Sequence, residues 1–328
     1  MFKKIIKSKA FLIFRDSPFK SSNISILRGM SGLVYTISDL SLYKENLGAI
    51  GNYNNILLFD MNTSEKLTEL KGHSSYIWSI IHIYEYKNYL IASASQDSTI
   101  KLWNLQNNTC EITLTGHNNW VTSISLLKSD TNTLISASYD HTVKFWNLDL
   151  GSCIKTIVSV FGKGVLNSYF FNETYIVYGS VGNSLKVFDY EKDEEVFTLL
   201  GHQNLVNCFC NLGHFNVDLI CSGSDDRTIK IWNLSLGTLE NTLFGHKECV
   251  NSLIHLSGYQ DNLLASASDD KSIRIWDLSK YECISQLNFH SSWVKSILHI
   301  KSKINIFFSH GDTGSVICWK LIKSNDDA

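Results

Sequence analysis

The sequence predicts an all-β fold made of seven copies of one four-stranded unit, and three observations carry that prediction. A phrase ending in tryptophan, Ala92–Trp103, returns as Ser136–Trp146, Ser222–Trp232, Ser266–Trp276 and, less perfectly, Ser309–Trp319. Gly-His pairs at Gly72-His73, Gly116-His117, Gly201-His202 and Gly245-His246, with Phe289-His290 in phase, set histidine-to-histidine steps of 44, 85, 44 and 44 residues, the long step being two units. Four positions after each histidine stands an apolar residue (Ile77, Val121, Val206, Val250, Val294), and degenerate counterparts at Val34 and Leu166 bring the units to seven. Self-similarity at a fixed period marks a supersecondary module that stacks on its own copies.

Along the chain, residues 1–21 come first as a basic, apolar extension with no acid before Asp16. Its lysines leave only Ala10–Phe14 uninterrupted, short of the roughly 7–15 apolar residues a secretory signal needs. A loosely ordered extension is expected, with a mitochondrial presequence as the alternative. The repeats fill residues 22–322, with units starting near 30, 73, 117, 160, 202, 246 and 290, and residues 323–328 form a tail. Within the second unit, Ile77–Ile83, Leu90–Ala94, Thr99–Trp103 and Cys110–Leu114 are short β-branched runs separated by Gly, Asn, Asp and Ser, hence four strands with tight turns.

The last unit is short. Nine residues follow Trp319, too few for its outer strand, whereas Ser22–Gly29 reads like the run into a Gly-His turn with Met30 in the histidine's place. Unpaired sheet edges invite aggregation, so Asn23–Leu27 is expected to complete the seventh unit.

Composition narrows the function. The 328 residues carry 29 Lys and Arg against 31 Asp and Glu, with no run of five like charges, so no phosphate-neutralising face for nucleic acid is offered. No segment is long enough to span a membrane as an apolar helix. Eight cysteines lack any Cys-x-x-Cys zinc pair, and three of them, Cys110, Cys153 and Cys283, recur at the start of a unit's last strand, which reads as a small buried core residue. Reduced thiols, no metal and no cofactor are expected, in a cytoplasmic protein, with nuclear residence as the alternative.

A repeat of about 40–45 residues with four strands, Gly-His and a Trp-Asn or Trp-Asp ending resembles the WD40 family, whose repeats are the blades of a β-propeller. The resemblance covers about residues 22–322. It implies a seven-bladed β-propeller closed by an N-terminal strand that completes the last blade.

Each strong unit supplies His, Ser, Asp and Trp at offsets that agree to within one residue: His73, Ser93, Asp97, Trp103; His117, Ser136, Asp140, Trp146; His202, Ser222, Asp226, Trp232; His246, Ser266, Asp270, Trp276. These are the residue types of a nucleophilic hydrolase, but a constellation repeated four times serves the unit rather than one reaction. The resemblance identifies them as the family's structural hydrogen-bonded tetrads. Unit one has Met30, Ala49, Tyr53 and Phe59 instead, unit four has Gly182 and Phe188, and unit seven has Thr313 at the aspartate offset with Asp312 one residue early. Blades one and four are therefore expected to be the softest.

The resemblance also implies a partner-binding ring on the propeller's top face. Carried over by position, it comprises Leu33, Tyr35 and Asn52 of blade one, Tyr76, Trp78 and Gln96 of blade two, Trp120, Thr122 and Tyr139 of blade three. Blades five to seven add Leu205, Asn207 and Asp225, then Cys249, Asn251 and Asp269, then Trp293, Lys295 and Asp312. Six aromatics lie in adjacent blades seven, one, two and three, facing an acidic sector in five and six. The expected function is a non-catalytic scaffold for a protein or peptide with aromatic or apolar anchors and a basic residue, monomeric within a larger complex. The alternative is a substrate-recognition subunit of a ubiquitin ligase. Against it, Trp276-Asp277 is followed by Leu278 and Ser279 without the arginine usual in adaptor-docking family members. A propeller enzyme would need a non-repeated catalytic cluster, and no Gly-x-Ser-x-Gly elbow or phosphate loop stands in the chain.

Overall fold

The computed structural model describes residues 19–21, 25–27, 34–63, 65–83, 90–127, 130–158, 168–171, 175–180, 183–213, 215–216, 218–257, 259–300, 305–312 and 315–323. Met30, Leu33, Leu166, Gly182 and Thr313 lie outside them. Among the described residues all regular elements are strands, gathered into seven antiparallel sheets: Val34–Lys71, Ile77–Leu114, Val121–Val158, Ser168–Leu199, Val206–Leu243, Val250–Leu287 and Val294–Lys323. These are blades one to seven. Their first strands stand side by side around a central channel, that of blade seven meeting that of blade one.

Burial explains the strand sequences. Leu90–Ser95, Thr133–Ser138, Leu219–Ser224 and Leu263–Ser268 are buried at every position because each blade has a neighbour on both faces. Alternation divides the side chains: Ile91 packs with Leu70 and Trp103 towards blade one, whereas Ala92 and Ala94 pack with Val121 and Trp146 towards blade three. Seven apolar clusters result, each spanning two adjacent blades, and the one joining Phe308 and Val316 to Val34 and Ile50 closes the ring. The Gly-His glycine is also packing-driven: Gly116 has φ 143°, and a Cβ there would meet the Trp146 ring at 3.3 Å.

At the seam, Ser25–Leu27 pairs antiparallel with the final strand, Ser25 opposite Cys318 and Leu27 opposite Val316. Phe19–Ser21, placed by sequence in the extension, also pairs, Phe19 opposite Lys323 and Ser21 opposite Leu321. The reason is length: the final strand runs eight residues, Val316–Lys323, past Trp319, and its edge accommodates two short segments.

The cysteine reading is corrected. Cys110 and Cys153 are exposed and Cys283 half-buried. Each sits opposite a blade tryptophan where the outer strand's register shifts, and its thiol donates to a carbonyl two residues on, 3.5 Å to Ile112, 3.3 Å to Lys155 and 3.4 Å to Ser285. The recurring small residue serves a bulge on the perimeter, not the core. All eight cysteines are free thiols.

Candidate functional site

Four tetrads are complete. Trp103 Nε1 donates to Ser93 Oγ at 2.7 Å, Ser93 Oγ lies 2.7 Å from His73 Nε2, and His73 Nδ1 lies 2.8 Å from Asp97 Oδ2. Blades three, five and six repeat these distances within 0.1 Å. The carboxylate is acceptor-only, so Nδ1 donates to it; in the neutral ring Nε2 then accepts the serine proton, while the donor-only indole gives its own to the serine oxygen. Each aspartate also accepts from a backbone N–H of the incoming loop and a turn hydroxyl, Ser74 and Thr99 in the case of Asp97. Burial pushes these carboxyls up, but the bonds from His, Thr or Ser and backbone outweigh it and hold them well below the usual range. The serines are fully buried, with their protons committed inside the blade, so they are placed to brace rather than to attack. In blade seven, Ser309 holds His290 and Trp319 at 2.7 and 2.6 Å, but His290 Nδ1 has no acceptor, and burial pushes this histidine down to about 4.

The tetrads set the geometry of one face. In blades two, three, five, six and seven the residue before the turn's last position donates its N–H to the carbonyl preceding the innermost strand: Gln96 to Tyr76, Tyr139 to Trp120, Asp225 to Leu205, Asp269 to Cys249, Asp312 to Trp293. Loop, turn and strand entry are thereby tied together beside the channel mouth.

There the aromatic residues of blades one to three touch in sequence. Tyr76 meets Tyr35 edge-on at 5.5 Å, Tyr35 lies 4.4 Å from Trp78, Trp78 stacks with Trp120 at 6.0 Å and 19°, and Trp120 meets Tyr139 at 5.3 Å. Sequence reasoning missed Tyr53, which stands in the turn-aspartate position of blade one, is exposed, and lies edge-on to Tyr76 at 4.6 Å. Its signal was the aromatic itself, read only as a failed tetrad member. Trp120 and Trp293 are 37% and 50% exposed, Trp78 is half-buried with an unpartnered Nε1, and Thr122 is buried against Ala137. Among the described residues Trp293 joins no other ring; Lys295 Nζ lies 4.7 Å above it.

On the other side, Asn207 Nδ2 donates to Asp225 Oδ1 at 2.6 Å and to Val250 O at 3.2 Å, and Asn251 Nδ2 to Asp269 Oδ1 at 2.6 Å and Val294 O at 2.9 Å. The amides stitch each turn to the next blade. The sector is less acidic than its sequence suggests, because Lys295 Nζ reaches Asp269 Oδ1 at 2.7 Å from the neighbouring blade. Cys249 lies beside Asp225, and burial, then that carboxylate, pushes its thiol up to about 12. The channel below, about 550 Å³, is lined by Tyr35, Trp78, Tyr139, Asn207, Asn251 and Lys295. No group of three or more His, Cys, Asp or Glu side chains suited to a metal occurs among the described residues, nor a helix long and apolar enough to cross a membrane.

The WD40 family model, described as WD domain, G-beta repeat, matches residues 64–104, 108–147, 193–233 and 237–277. Each match joins one blade's outer strand to the next blade's first three, and the four include all the complete tetrads' Ser, Asp and Trp. The chain is 36% identical over 155 residues to Nuclear distribution protein PAC1-1 of Uncinocarpus reesii, covering 47% of this chain and 34% of that protein. It is 35% identical over 72 residues to Pre-mRNA-processing factor 19 of Mus musculus (22% and 14%). To Cell division control protein 4 of Saccharomyces cerevisiae it is 33% identical over 97 residues (29% and 12%). The matched stretches thus span about a third or less of these relatives' lengths.

Proposed function

Since the chain is a seven-bladed β-propeller of the WD40-repeat family, we propose that it is a non-catalytic scaffold holding a protein or peptide on the face that carries the aspartate turns. One observation carries this reading: six aromatic rings, Tyr53, Tyr76, Tyr35, Trp78, Trp120 and Tyr139, form an unbroken arc at the channel mouth across three blades. Large rings held rigidly and part-exposed lose little entropy on binding and make strong anchors. The relatives' names come from nuclear distribution, pre-mRNA processing and cell division, which supports a surface rather than one reaction as what the shared repeats supply.

The test is affinity purification of the chain from cells beside Trp120→Ala and Trp293→Ala variants. Both rings are at the surface, so the expected result is loss of co-purifying partner with an unchanged melting temperature. Partners retained by both variants would place the interface on the blade edges or the opposite face.

A further inference from the structure

Asp225 and Asp269 of the polar sector have the same kind of anchor and differ in charge balance. Each is fixed by an asparagine of its own blade, Asn207 to Asp225 and Asn251 to Asp269, both at 2.6 Å. Asp269 is neutralised by Lys295 of the next blade, whose ammonium lies 2.7 Å from the carboxylate and 4.7 Å from the Trp293 ring centre. The chain thus displays, filled by its own lysine, a cation held between a carboxylate and an aromatic face. At Asp225 the repeat places Asn251 where Lys295 stands, and that amide is uncharged and already donates to Asp269. None of the ion pairs among the described residues includes Asp225.

Asp225 borders one open space and its amide partner Asn207 another. The channel is lined by Asn207 and by Tyr139, the last ring of the aromatic arc. A groove of about 630 Å³ over blade five is walled by Asp225, Arg227 and Lys230, and its outer end carries Phe244, 74% exposed. Lys230 is tied to Thr242 Oγ1 at 3.0 Å and is buried, so it leaves the Asp225 charge in place.

We propose that Asp225 receives the Arg or Lys side chain of a peptide bound on this face, with the peptide running outward along the blade-five groove to set an apolar residue on Phe244. This rests on the scaffold reading and adds the ligand's chemistry and direction. Asp269 takes no part, its cation being built in.

The probe is an array of short peptides with a central Arg, Lys, Gln or Glu between randomised flanks, read with the purified full chain. Wild type is expected to capture Arg or Lys peptides at least about tenfold better than their Gln counterparts. Asp225→Asn should abolish that preference, Asp269→Asn should keep it, and Phe244→Ala should remove selection for an apolar flanking residue. In wild type the preference should shrink between about 50 and 500 mM salt, a measurement that needs no variant. Charge-indifferent capture that Trp120→Ala abolishes would overturn this inference and leave the scaffold reading standing. A cation preference that survives Asp225→Asn, or is lost equally in Asp269→Asn, would overturn it too, and a wild type that captures no peptide would sink both.

Discussion

His290 differs from its four counterparts by one missing bond, and the difference has a pH signature. In blades two, three, five and six the folded aspartates are held low, so on acidification the unfolded chain binds their protons first; their stabilisation is whole above about pH 4 and lost below it. Burial pushes His290 down to about 4 and His310 to about 3. Unfolded imidazoles protonate near 6.5 while the folded ones stay neutral, so stability should already decline from about pH 6.5 towards 4. Urea unfolding at pH 7 and pH 5, followed by tryptophan emission, should show a lower midpoint at pH 5. Thr313→Asp, which restores the sequence offset of the other tetrads, should stabilise by about 1 kcal/mol and reduce that decline. Equal midpoints at both pH values would count against a buried neutral pair. Asp226→Ala should cost about 1–3 kcal/mol, because His202, Thr228 and the Gln203 N–H lose their acceptor.

At the scale of the blade, the three tryptophans outside the strand-ending position are not equivalent. Trp78 lies between Tyr35 and Trp120 with its Nε1 buried, whereas Trp120 and Trp293 face solvent on one side. Trp78→Ala should therefore lower both the melting temperature and binding, and the other two truncations binding alone, by about 2 kcal/mol or more each. Calorimetry of the three variants separates the cases, and a fall in melting temperature for Trp293→Ala would show that this ring packs rather than waits. The blade was legible in sequence because its grammar repeats: the offsets linking His73, Ser93, Asp97 and Trp103 recur until chance is excluded. The site was legible only in outline. The Lys295–Asp269 pair joins different blades across 26 residues, and nothing in either repeat announces it. Tyr53 was hidden by the same grammar, since a residue that breaks a pattern is read as a loss and not as a gain. The exposed cysteines went astray because a recurring small residue suits a bulge as well as a core.

For the whole molecule, seven blade interfaces each carry an apolar cluster, and the seam at blade seven adds the pairing of Ser25–Leu27 with the final strand. A chain starting at Phe19 should melt like the full one. A chain starting at Gly29 loses both segments that pair with Val316–Lys323 and should melt about 3 °C lower, the shift that roughly 2 kcal/mol produces in a protein of this size. Identical melting curves would show that the seam is not what holds the ring.

The seam also imposes a timetable on the newborn chain. Ser25–Leu27 is made early, but its partner Val316–Cys318 is made roughly 290 residues later, about 15–60 s at ordinary elongation rates. Through that interval the nascent protein is an arc of growing blades with two raw ends, and each blade can form locally while the final one cannot. Emergence of that final strand from the ribosome, rather than any earlier folding step, then becomes the event that commits the ring. A slowdown in translating the last blade would prolong the arc's exposure to chaperones and to misjoining with its neighbours on the same message.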